Sequence, residues 1–215
     1  MNSEIKKMWN VFSVDEKSVL ELRALAPNKP ATVRHFNAAQ LGSTENLKAN
    51  FEETALRLNE QGSNIYVVMN PIMSTFSGHS VSDADIKCRE LMLVDIDRSG
   101  DTAGPANERE VQAAQNLAGE IIAYLDGLGW PEPKQVMSGN GWHIYYPLAK
   151  LDNDDETKHC VKNTLKHLAE RFNNDTVKID TTVYNASRIT KVPGTIMRKG
   201  KNASGRPYRM AVVHE

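Results

Sequence analysis

An apolar strand that ends in two carboxylates constrains this chain more than any other feature. Residues 91–97 run Leu-Met-Leu-Val-Asp-Ile-Asp. Because residues i and i+2 of a strand share a face, Asp95 and Asp97 lie on one side, ~6–7 Å apart along the backbone. Paired carboxylates bind hard divalent cations, although two solvated acids at a strand end would give the same pattern. The spacing indicates a candidate metal site whose other partners must come from elsewhere in the chain.

Composition sets broad limits on the kind of protein. The chain has 215 residues, of which 40% are hydrophobic, enough for one large domain or two intimate lobes. It has no apolar run long enough to span a bilayer and begins with a polar segment, so we expect a cytoplasmic protein without membrane contact. Two cysteines, Cys88 and Cys160, are too few for a disulfide framework or a zinc module and are expected to be free, buried thiols.

The charge distribution is more informative than the net charge of −1. Residues 181–214 contain no aspartate or glutamate. A positive field of this kind suits phosphate groups, although a solvated basic face is the alternative. The basic residues of the segment are Arg188, Lys191, Arg198, Lys199, Lys201, Arg206 and Arg209.

Strand and helix patterns alternate along the chain and favour an α/β or α+β domain. Two apolar strands, residues 19–25 and 32–36, flank Pro27 and Pro30, and a third strand covers residues 65–69. Apolar positions recurring at three and four predict three long amphipathic helices. These cover residues 44–61, 108–128 and 155–172.

A second Asp-x-Asp pair, Asp83 and Asp85, has the same spacing as the first pair. Ser82 precedes it, and a serine followed three residues later by an acid is typical of a helix start. Acids in a first helical turn also complement the helix dipole. We therefore expect Asp83 and Asp85 to be structural.

Residues 136–146 predict a hairpin whose turn contains an Asn-Gly step. The glycines of this turn, including Gly141, permit close approach of the backbone to another group. Free amides there would face an anion, and Ser138, Asn140 and His143 add polar side chains. The turn is a candidate cradle for a triphosphate. For His143 alone, a satisfied, partly buried imidazole is the alternative.

A later strand, residues 176–180, ends in Asp180, which could supply a third metal-facing carboxylate. Arg188 and Lys191 follow, close to a Gly-Thr turn, and cations there would bind phosphates that carboxylates alone would repel. Asp175, after two asparagines, is typical of a turn residue.

Taken together, these residues resemble the primase-polymerase domains of the archaeo-eukaryotic primase superfamily, especially those of phages, plasmids and other mobile elements. The resemblance spans most of the chain. Its specific elements are the Asp95-x-Asp97 pair, the Ser138-Gly-Asn-Gly-Trp-His143 turn, Asp180, and the basic segment that begins at Arg188.

The resemblance implies a two-lobed fold, with a small αβ lobe in residues 1–80 and an RNA-recognition-motif-like sheet in residues 81–215. The active site would lie in the cleft between the lobes. Catalytic residues would be Asp95, Asp97, His143 and Asp180, with the three aspartates binding two Mg²⁺ or Mn²⁺ ions. Nucleotide-binding residues would be Ser138, Asn140, Gly141, His143, Arg188 and Lys191.

The implied activity is DNA-directed primase or polymerase chemistry on a single-stranded or primed DNA template, with dNTP or NTP as substrate. A helicase in cis or in trans would be a partner, although nothing before Glu215 predicts a helicase domain here. The second acid of the first motif is Asp97 rather than the glutamate of some relatives, which would alter metal preference.

Two alternatives remain open at the level of sequence. The first is a non-catalytic RNA-recognition-like domain, which would need exposed aromatic residues such as Tyr145, Tyr146 or Tyr184. The second is another Asp-x-Asp metal enzyme, such as a glycosyltransferase or nuclease.

Overall fold

The computed structural model describes residues 3–214 as a mixed α/β chain built on two large antiparallel sheets and a third, two-stranded antiparallel sheet formed by residues 196–197 and 209–210. The helices are α1 (Ser3–Lys6), α2 (Ala38–Leu41), α3 (Thr44–Glu60), α4 (Glu108–Asp126) and α5 (Asp155–Phe172), with short 3₁₀ turns at Lys7–Asn10 and Asp83–Asp85. The strands are β1 (Val19–Leu25), β2 (Thr32–Asn37), β3 (Asn64–Val68), β4 (Arg89–Arg98), β5 (Lys134–Met137), β6 (Trp142–Leu151), β7 (Val177–Ile179), β8 (Ile189–Lys191), β9 (Ile196–Met197), β10 (Arg209–Met210) and β11 (Val212–His214).

The first sheet has the order β2-β1-β3-β8. The predicted strand pair is confirmed, since β1 and β2 are antiparallel neighbours with Leu22 opposite Arg34. The edge strand β8 comes from the second half of the chain and pairs with β3, placing Lys191 opposite Tyr66. The second half of the chain therefore contributes a strand to the first sheet.

The second sheet has the order β11-β5-β6-β4-β7. Leaving out β11, its elements follow the chain as β4-α4-β5-β6-α5-β7, a β-α-β-β-α-β unit of ferredoxin-like topology. The strand order β5-β6-β4-β7 places the first strand of this unit in the interior, between the third and the last. The expected RNA-recognition-like sheet and mixed fold class are thus observed.

The three long helices begin where their capping residues predict. The Ser43 hydroxyl accepts a hydrogen bond from the backbone N–H of Asn46 at 3.1 Å, Asn107 and Glu110 form a reciprocal capping box, and Asp154 caps α5 through Thr157. Each cap satisfies an amide that lacks an intrahelical partner. The predicted ends at residues 61, 128 and 172 fall within two residues of the observed ends.

The two sheets share one hydrophobic core. Helix α3 packs on the first sheet, and α4 and α5 pack on the second. Between the sheets, the ring of Phe12 meets the ring of Tyr145 edge to face, with centroids 5.6 Å apart. Buried residues from both halves, among them Leu22 and Val94, belong to this single cluster. The two sheets consequently pack as one unit.

The second Asp-x-Asp pair is structural, as predicted, but the helix it starts is a single 3₁₀ turn at Asp83–Asp85. Ser82 and Asp85 cap one another. The Asp83 carboxylate accepts hydrogen bonds from the backbone N–H and hydroxyl of Ser187, at 2.8 and 2.7 Å. This acid therefore ties the turn to the loop that precedes β8.

Cys88 and Cys160 are free thiols, as expected, but the prediction that they are buried is wrong. Cys88 is partly exposed, and Cys160 is exposed because it lies on α5 outside the face that packs inward. Among residues 3–214, no helix is both long and apolar enough to cross a membrane.

Candidate active site

Three strands bring the predicted catalytic side chains side by side. On one flank of β4, Asp95 lies opposite His143 of β6. On the other flank, Ile96 lies opposite Ile179 of β7, and the Asp180 N–H donates to the Asp95 carbonyl at 2.8 Å. Residues opposite one another in antiparallel strands share a face, with Cβ atoms ~4.5–5.5 Å apart. Sheet register thus gathers His143, Asp95 and Asp180 on one face.

Asp97 joins the same face two residues further along β4, as the alternation of strand side chains requires. We call Asp95, Asp97 and Asp180 the aspartate group. The Asp95 side chain is only 20% exposed, and Asp97 and Asp180 are also partly buried. The sheet therefore concentrates negative charge where water solvates it poorly.

The pKa values of the two β4 aspartates diverge. Burial and the neighbouring Asp95 raise the pKa of Asp97 to about 6, and the charge of Asp180 acts in the same direction. Burial also acts to raise the pKa of Asp95, but the charge and hydrogen bond of His143, followed by the charges of Arg188 and Lys199, outweigh it and lower that pKa. His143, Arg188 and Lys199 thus offset the charge of Asp95, whereas burial and the charge of Asp95 dominate at Asp97.

His143 faces Asp95 and is buried behind it. Its Nε2 lies 3.3 Å from Asp95 Oδ1, and its side chain is 8% exposed. On the far side of the ring, Nδ1 lies 3.0 Å from the Tyr145 hydroxyl and 3.1 Å from that of Thr190. His143 is therefore a satisfied, buried imidazole, and its catalytic and nucleotide-binding roles stay predictions.

The turn between β5 and β6 is pressed against the strand that carries the aspartates. A Cβ on Gly141 would lie 2.2 Å from the Ile96 carbonyl oxygen, and one on Gly139, whose φ is +101°, would lie 2.6 Å from the Met197 Cβ. Only glycine fits such contacts. The predicted close backbone approach is real, but its partner in the structure is the protein itself.

The polar side chains of this turn have mainly internal partners. The Ser138 hydroxyl accepts from the Gly141 N–H at 3.2 Å, and Asn140 Oδ1 accepts from the Ala106 N–H at 2.9 Å. Within residues 3–214, Asn140 Nδ2 is buried without a hydrogen-bond partner. Asn140 borders a small cavity that Asp97 and Lys199 also line. The nucleotide-binding roles expected of Ser138, Asn140 and Gly141 stay predictions.

Arg188 lies near the aspartate group, since its charge lowers the pKa of Asp95 after the larger effects of burial and His143. One guanidinium nitrogen, Nη2, donates to the Thr182 carbonyl at 2.8 Å. Its Nε is buried with no partner in the described part of the chain. Arg188 is placed to meet an anion beside Asp95.

Lys191 has a different environment. Its ammonium donates to the Thr195 hydroxyl at 2.7 Å, lies over the ring of Tyr66, and belongs to a residue only 1% exposed. Burial, together with the charge of Arg198, lowers its pKa to about 7. Contact between Lys191 and a nucleotide would require this segment to move, so its nucleotide-binding role stays a prediction.

Lys199 is a further cation near the acids that was not predicted as a site residue. It is exposed, and its charge acts on both Asp95 and Asp97. The sequence placed Lys199 in the basic run but offered no reason to single it out. The structural reason lies in the preceding three residues.

Two asparagine side chains clamp the segment that leads to Lys199. Asn59 accepts from the Ile196 N–H at 2.8 Å and donates to the Ile196 carbonyl at 2.9 Å. Asn64 does the same for Arg198, at 2.6 and 2.7 Å. Each amide makes the pair of hydrogen bonds that a neighbouring strand would make. The clamp holds the basic segment across the cleft from β4.

The aromatic residues that the RNA-recognition alternative requires are not available. Tyr145 and Tyr146 are 0% and 1% exposed. Tyr184 is partly buried, with the Lys162 ammonium over its ring. Because bases stack on exposed aromatic faces, the expectation that these three tyrosines could form a stacking platform is wrong for Tyr145 and Tyr146.

The aspartate group presents carboxylate oxygens, the type of donor that hard divalent cations prefer. Within residues 3–214, no three His, Cys, Asp or Glu side chains are yet arranged tightly enough to hold an ion, and Asp180 Oδ1 accepts hydrogen bonds from the Thr182 N–H and hydroxyl at 2.8 and 2.7 Å. The raised pKa of Asp97 nevertheless marks repulsion between carboxylates. A hard cation with oxygen ligands would relieve that repulsion.

Comparison with known proteins identifies the fold. No protein-family model matches the sequence, and no curated protein matches it. The crystal structure of primase RepB' has a TM-score of 0.56 and 13% identity, covering 100% of this chain and 56% of that one. The polymerase domain from Mycobacterium tuberculosis Ligase D, in complex with DNA, has a TM-score of 0.56 and 14% identity, covering 97% of this chain and 79% of that one.

Both similar structures are of the primase-polymerase type, so the chain has a primase-polymerase fold. The expected fold class is therefore confirmed. The chain spans little more than half of primase RepB'.

Proposed function

We propose that this protein is a template-directed nucleotidyltransferase that adds nucleotides to a DNA 3′-hydroxyl, as a primase or DNA polymerase. One observation carries the proposal: β4, β6 and β7 align Asp95, His143 and Asp180 on one face, with Asp97 beside them. The charges of Arg188 and Lys199 act on these acids. An acidic group facing cations is the arrangement that phosphoryl transfer requires.

The aspartate group would hold two Mg²⁺ or Mn²⁺ ions. When bound, such ions stabilise both the attacking and the leaving oxygen of an in-line displacement at phosphorus. Asp95 and Asp97 would be the principal ligands because they share a face at the end of β4. Asp180 would contribute from β7, and its hydrogen bonds with Thr182 would help to fix that side chain.

The basic side of the cleft would orient the triphosphate of the incoming dNTP or NTP. Arg188 and Lys199 are the cations whose charges reach the acids. His143 Nε2 and the unpartnered Asn140 Nδ2 would donate hydrogen bonds where the acidic residues meet the basic residues. These groups would act by positioning and by neutralising phosphate charge, since the protein forms no covalent bond in such a transfer.

The polymer partner would be single-stranded or primed DNA. The Ligase D polymerase domain, which this chain resembles in fold, was solved in complex with DNA. We extend DNA binding to this protein as part of the proposal, together with a role in replication of a phage or other mobile element. A helicase, in cis or in trans, would supply the unwinding.

The decisive test is extension of labelled primed and unprimed templates with Mg²⁺ or Mn²⁺. We expect incorporation by the wild type, and in Asp95→Asn and Asp97→Asn we expect it to fall by roughly 1000-fold or more, because the charge stabilisation supplied by bound metal is worth several kcal/mol. Circular dichroism should be unchanged in both variants. Asp175→Asn, an exposed aspartate next to β7, is the matched control and should extend normally.

The same assay separates the alternatives. Full extension by folded Asp97→Asn would overturn the proposal. Degradation of the labelled strand in place of extension would indicate a nuclease. Binding without any turnover of nucleotide would indicate the non-catalytic alternative.

A further inference from the structure

Behind His143 lies a closed triangle of hydrogen-bonding groups. The Tyr145 hydroxyl is 3.0 Å from His143 Nδ1 and 2.5 Å from the Thr190 hydroxyl. The Thr190 hydroxyl is 3.1 Å from the same Nδ1. All three residues are buried, at 7%, 0% and 2% exposure for His143, Tyr145 and Thr190. Water is therefore a poor substitute for any of these contacts.

The triangle joins the two lobes. His143 and Tyr145 are two residues apart on one face of β6, in the second sheet. Thr190 comes from β8, the edge strand of the first sheet. Arg188 lies two residues before it in the chain. The imidazole is thus held from behind by its own strand and by the strand that supplies a cation to the site.

The positions of the hydrogen atoms follow from the partners of the ring. The ring nitrogen Nε2 faces Asp95 Oδ1 at 3.3 Å, and a carboxylate only accepts hydrogen bonds. Nε2 must therefore carry a hydrogen. In a neutral imidazole Nδ1 is then an acceptor. One of the two hydroxyls, of Tyr145 or Thr190, donates to Nδ1, and the other hydroxyl donates to the oxygen of that first hydroxyl.

We propose that Tyr145 and Thr190 are positioning residues that fix the orientation and tautomer of His143, so that Nε2–H is presented to the aspartate group and to the substrate. This proposal rests on the proposed function for its kinetic consequences but not for its structural ones. The two hydroxyls are redundant, because each lies within hydrogen-bond distance of Nδ1.

Redundancy predicts a characteristic pattern of substitutions. In Y145F the Thr190 hydroxyl still reaches Nδ1, and in T190V the Tyr145 hydroxyl does. The double variant leaves Nδ1 buried without a donor. Because an unsatisfied buried acceptor is far costlier than an exchanged partner, we expect incorporation to fall by about threefold or less in each single variant and by about 30-fold or more in the double variant.

Two further variants separate positioning from simple loss of packing. Tyr146 is the next residue of β6, and its hydroxyl is buried with no partner within residues 3–214. Y146F removes an equivalent oxygen from the core and should leave incorporation unchanged. Y145F/T190S retains one hydroxyl at the β8 position and should recover most of the activity that Y145F/T190V loses, chiefly through kcat.

A spectroscopic measurement reads the tautomer directly. In ¹⁵N-edited spectra of the imidazoles, the His143 signals are identified by their loss in His143→Gln. We expect the Nε2–H tautomer in the wild type, in both single variants and in Y145F/T190S. In folded Y145F/T190V we expect a mixture of the two tautomers.

The outcomes distinguish this proposal from the proposed function. If the wild type incorporates no nucleotide but its tautomer shifts only in the double variant, the positioning role stands and the polymerase proposal fails. If folded Y145F/T190V keeps both the wild-type tautomer and wild-type incorporation, Tyr145 and Thr190 do not position His143. A fold loss of incorporation in the double variant that merely equals the product of the two single fold losses would also overturn the proposal.

Discussion

The acidic side and the basic side of the candidate site are held in place by different means, and we call them the acidic wall and the basic wall. The acidic wall is regular sheet, in which backbone pairing between β4, β6 and β7 sets Asp95, His143 and Asp180 in register. The basic wall consists of the short edge strand β8 and the two-residue strand β9, which pairs with β10. The side chains of Asn59 and Asn64 bind the backbone of Ile196 and Arg198 on another side. The positions of the acidic side chains therefore depend on strand register. The positions of the basic side chains depend on individual side-chain contacts.

This difference explains which wall is sensitive to backbone changes and which to side-chain changes. A strand in the interior of a sheet has two neighbours that fix it, so its side chains move little when one surface residue is replaced. A clamped segment depends on a few amides. The following predictions test the contrast, beginning with the acidic wall.

The largest effect should follow Gly141→Ala. The added methyl would lie 2.2 Å from the Ile96 carbonyl oxygen and 3.0 Å from Asp97 Oδ1, which forces the turn away from β4. We expect destabilisation by roughly 2–3 kcal/mol and loss of most incorporation, measured by urea unfolding and primer extension.

Gly119→Ala is the matched control for this change. Gly119 lies within α4, and a Cβ there meets no atom within 4 Å. Because alanine favours helix over glycine by about 1 kcal/mol, Gly119→Ala should retain or gain stability. Equal behaviour of the two variants would show that the turn is not pressed against β4.

An intermediate effect is expected from Lys199→Ala, which removes the exposed cation that acts on both β4 aspartates. The apparent KM for nucleotide should rise by roughly tenfold, since a charge-assisted contact contributes about 1.5–3 kcal/mol, while thermal stability stays constant. Steady-state extension kinetics measure the change. Lys201→Ala, two residues further along and also exposed, is the control. An equal rise in KM for the two variants would mean that proximity to the acids is not what matters.

The smallest effect concerns stability and pH in the metal-free protein. The pKa of Asp97 is raised from 3.8 to about 6 by burial and Asp95, so the folded state binds this proton more tightly than the unfolded state. The free energy of unfolding should therefore fall as pH rises from about 4 to about 6, by on the order of 1–2 kcal/mol.

Asp97→Asn should remove this decrease in the free energy of unfolding with rising pH, as measured by urea unfolding in EDTA at pH 4.5 and pH 7. Adding Mg²⁺ at pH 7 should restore stability to the wild type and not to the variant, because a ligand that binds only the folded state stabilises it. Parallel pH curves for the wild type and Asp97→Asn would contradict the assignment of the raised pKa to Asp97.

The acidic wall could be predicted from sequence because its determinants are local. Alternation along β4 gives Asp95 and Asp97 a common face, and the glycine-rich turn implies that β5 and β6 pair. Only the adjacency of β7, and hence of Asp180, required a fold, and the family resemblance supplied that fold. Helix ends were predicted to within two residues because their caps are local as well.

The basic wall could not be predicted to the same depth. Lys191 is enclosed because β8 pairs with β3, more than a hundred residues earlier in the chain, and no local pattern records that pairing. Lys199 reaches the acids because Asn59 and Asn64 hold the preceding residues. Asparagine at the end of a helix or the start of a strand is common in turns, so its use as a clamp leaves no distinctive trace in sequence.

The transfer of β8 into the first sheet also bears on how the protein can be divided. A fragment ending near residue 80 would leave the edge of β3 unpaired, and an open strand edge of this kind invites aggregation. The complementary fragment would retain every aspartate of the site, yet Thr190 and Arg188 would lose the strand that supports them. Neither piece would be expected to work alone, and mixing both pieces should regenerate a competent cleft only when Ile189–Lys191 docks back onto its original partner.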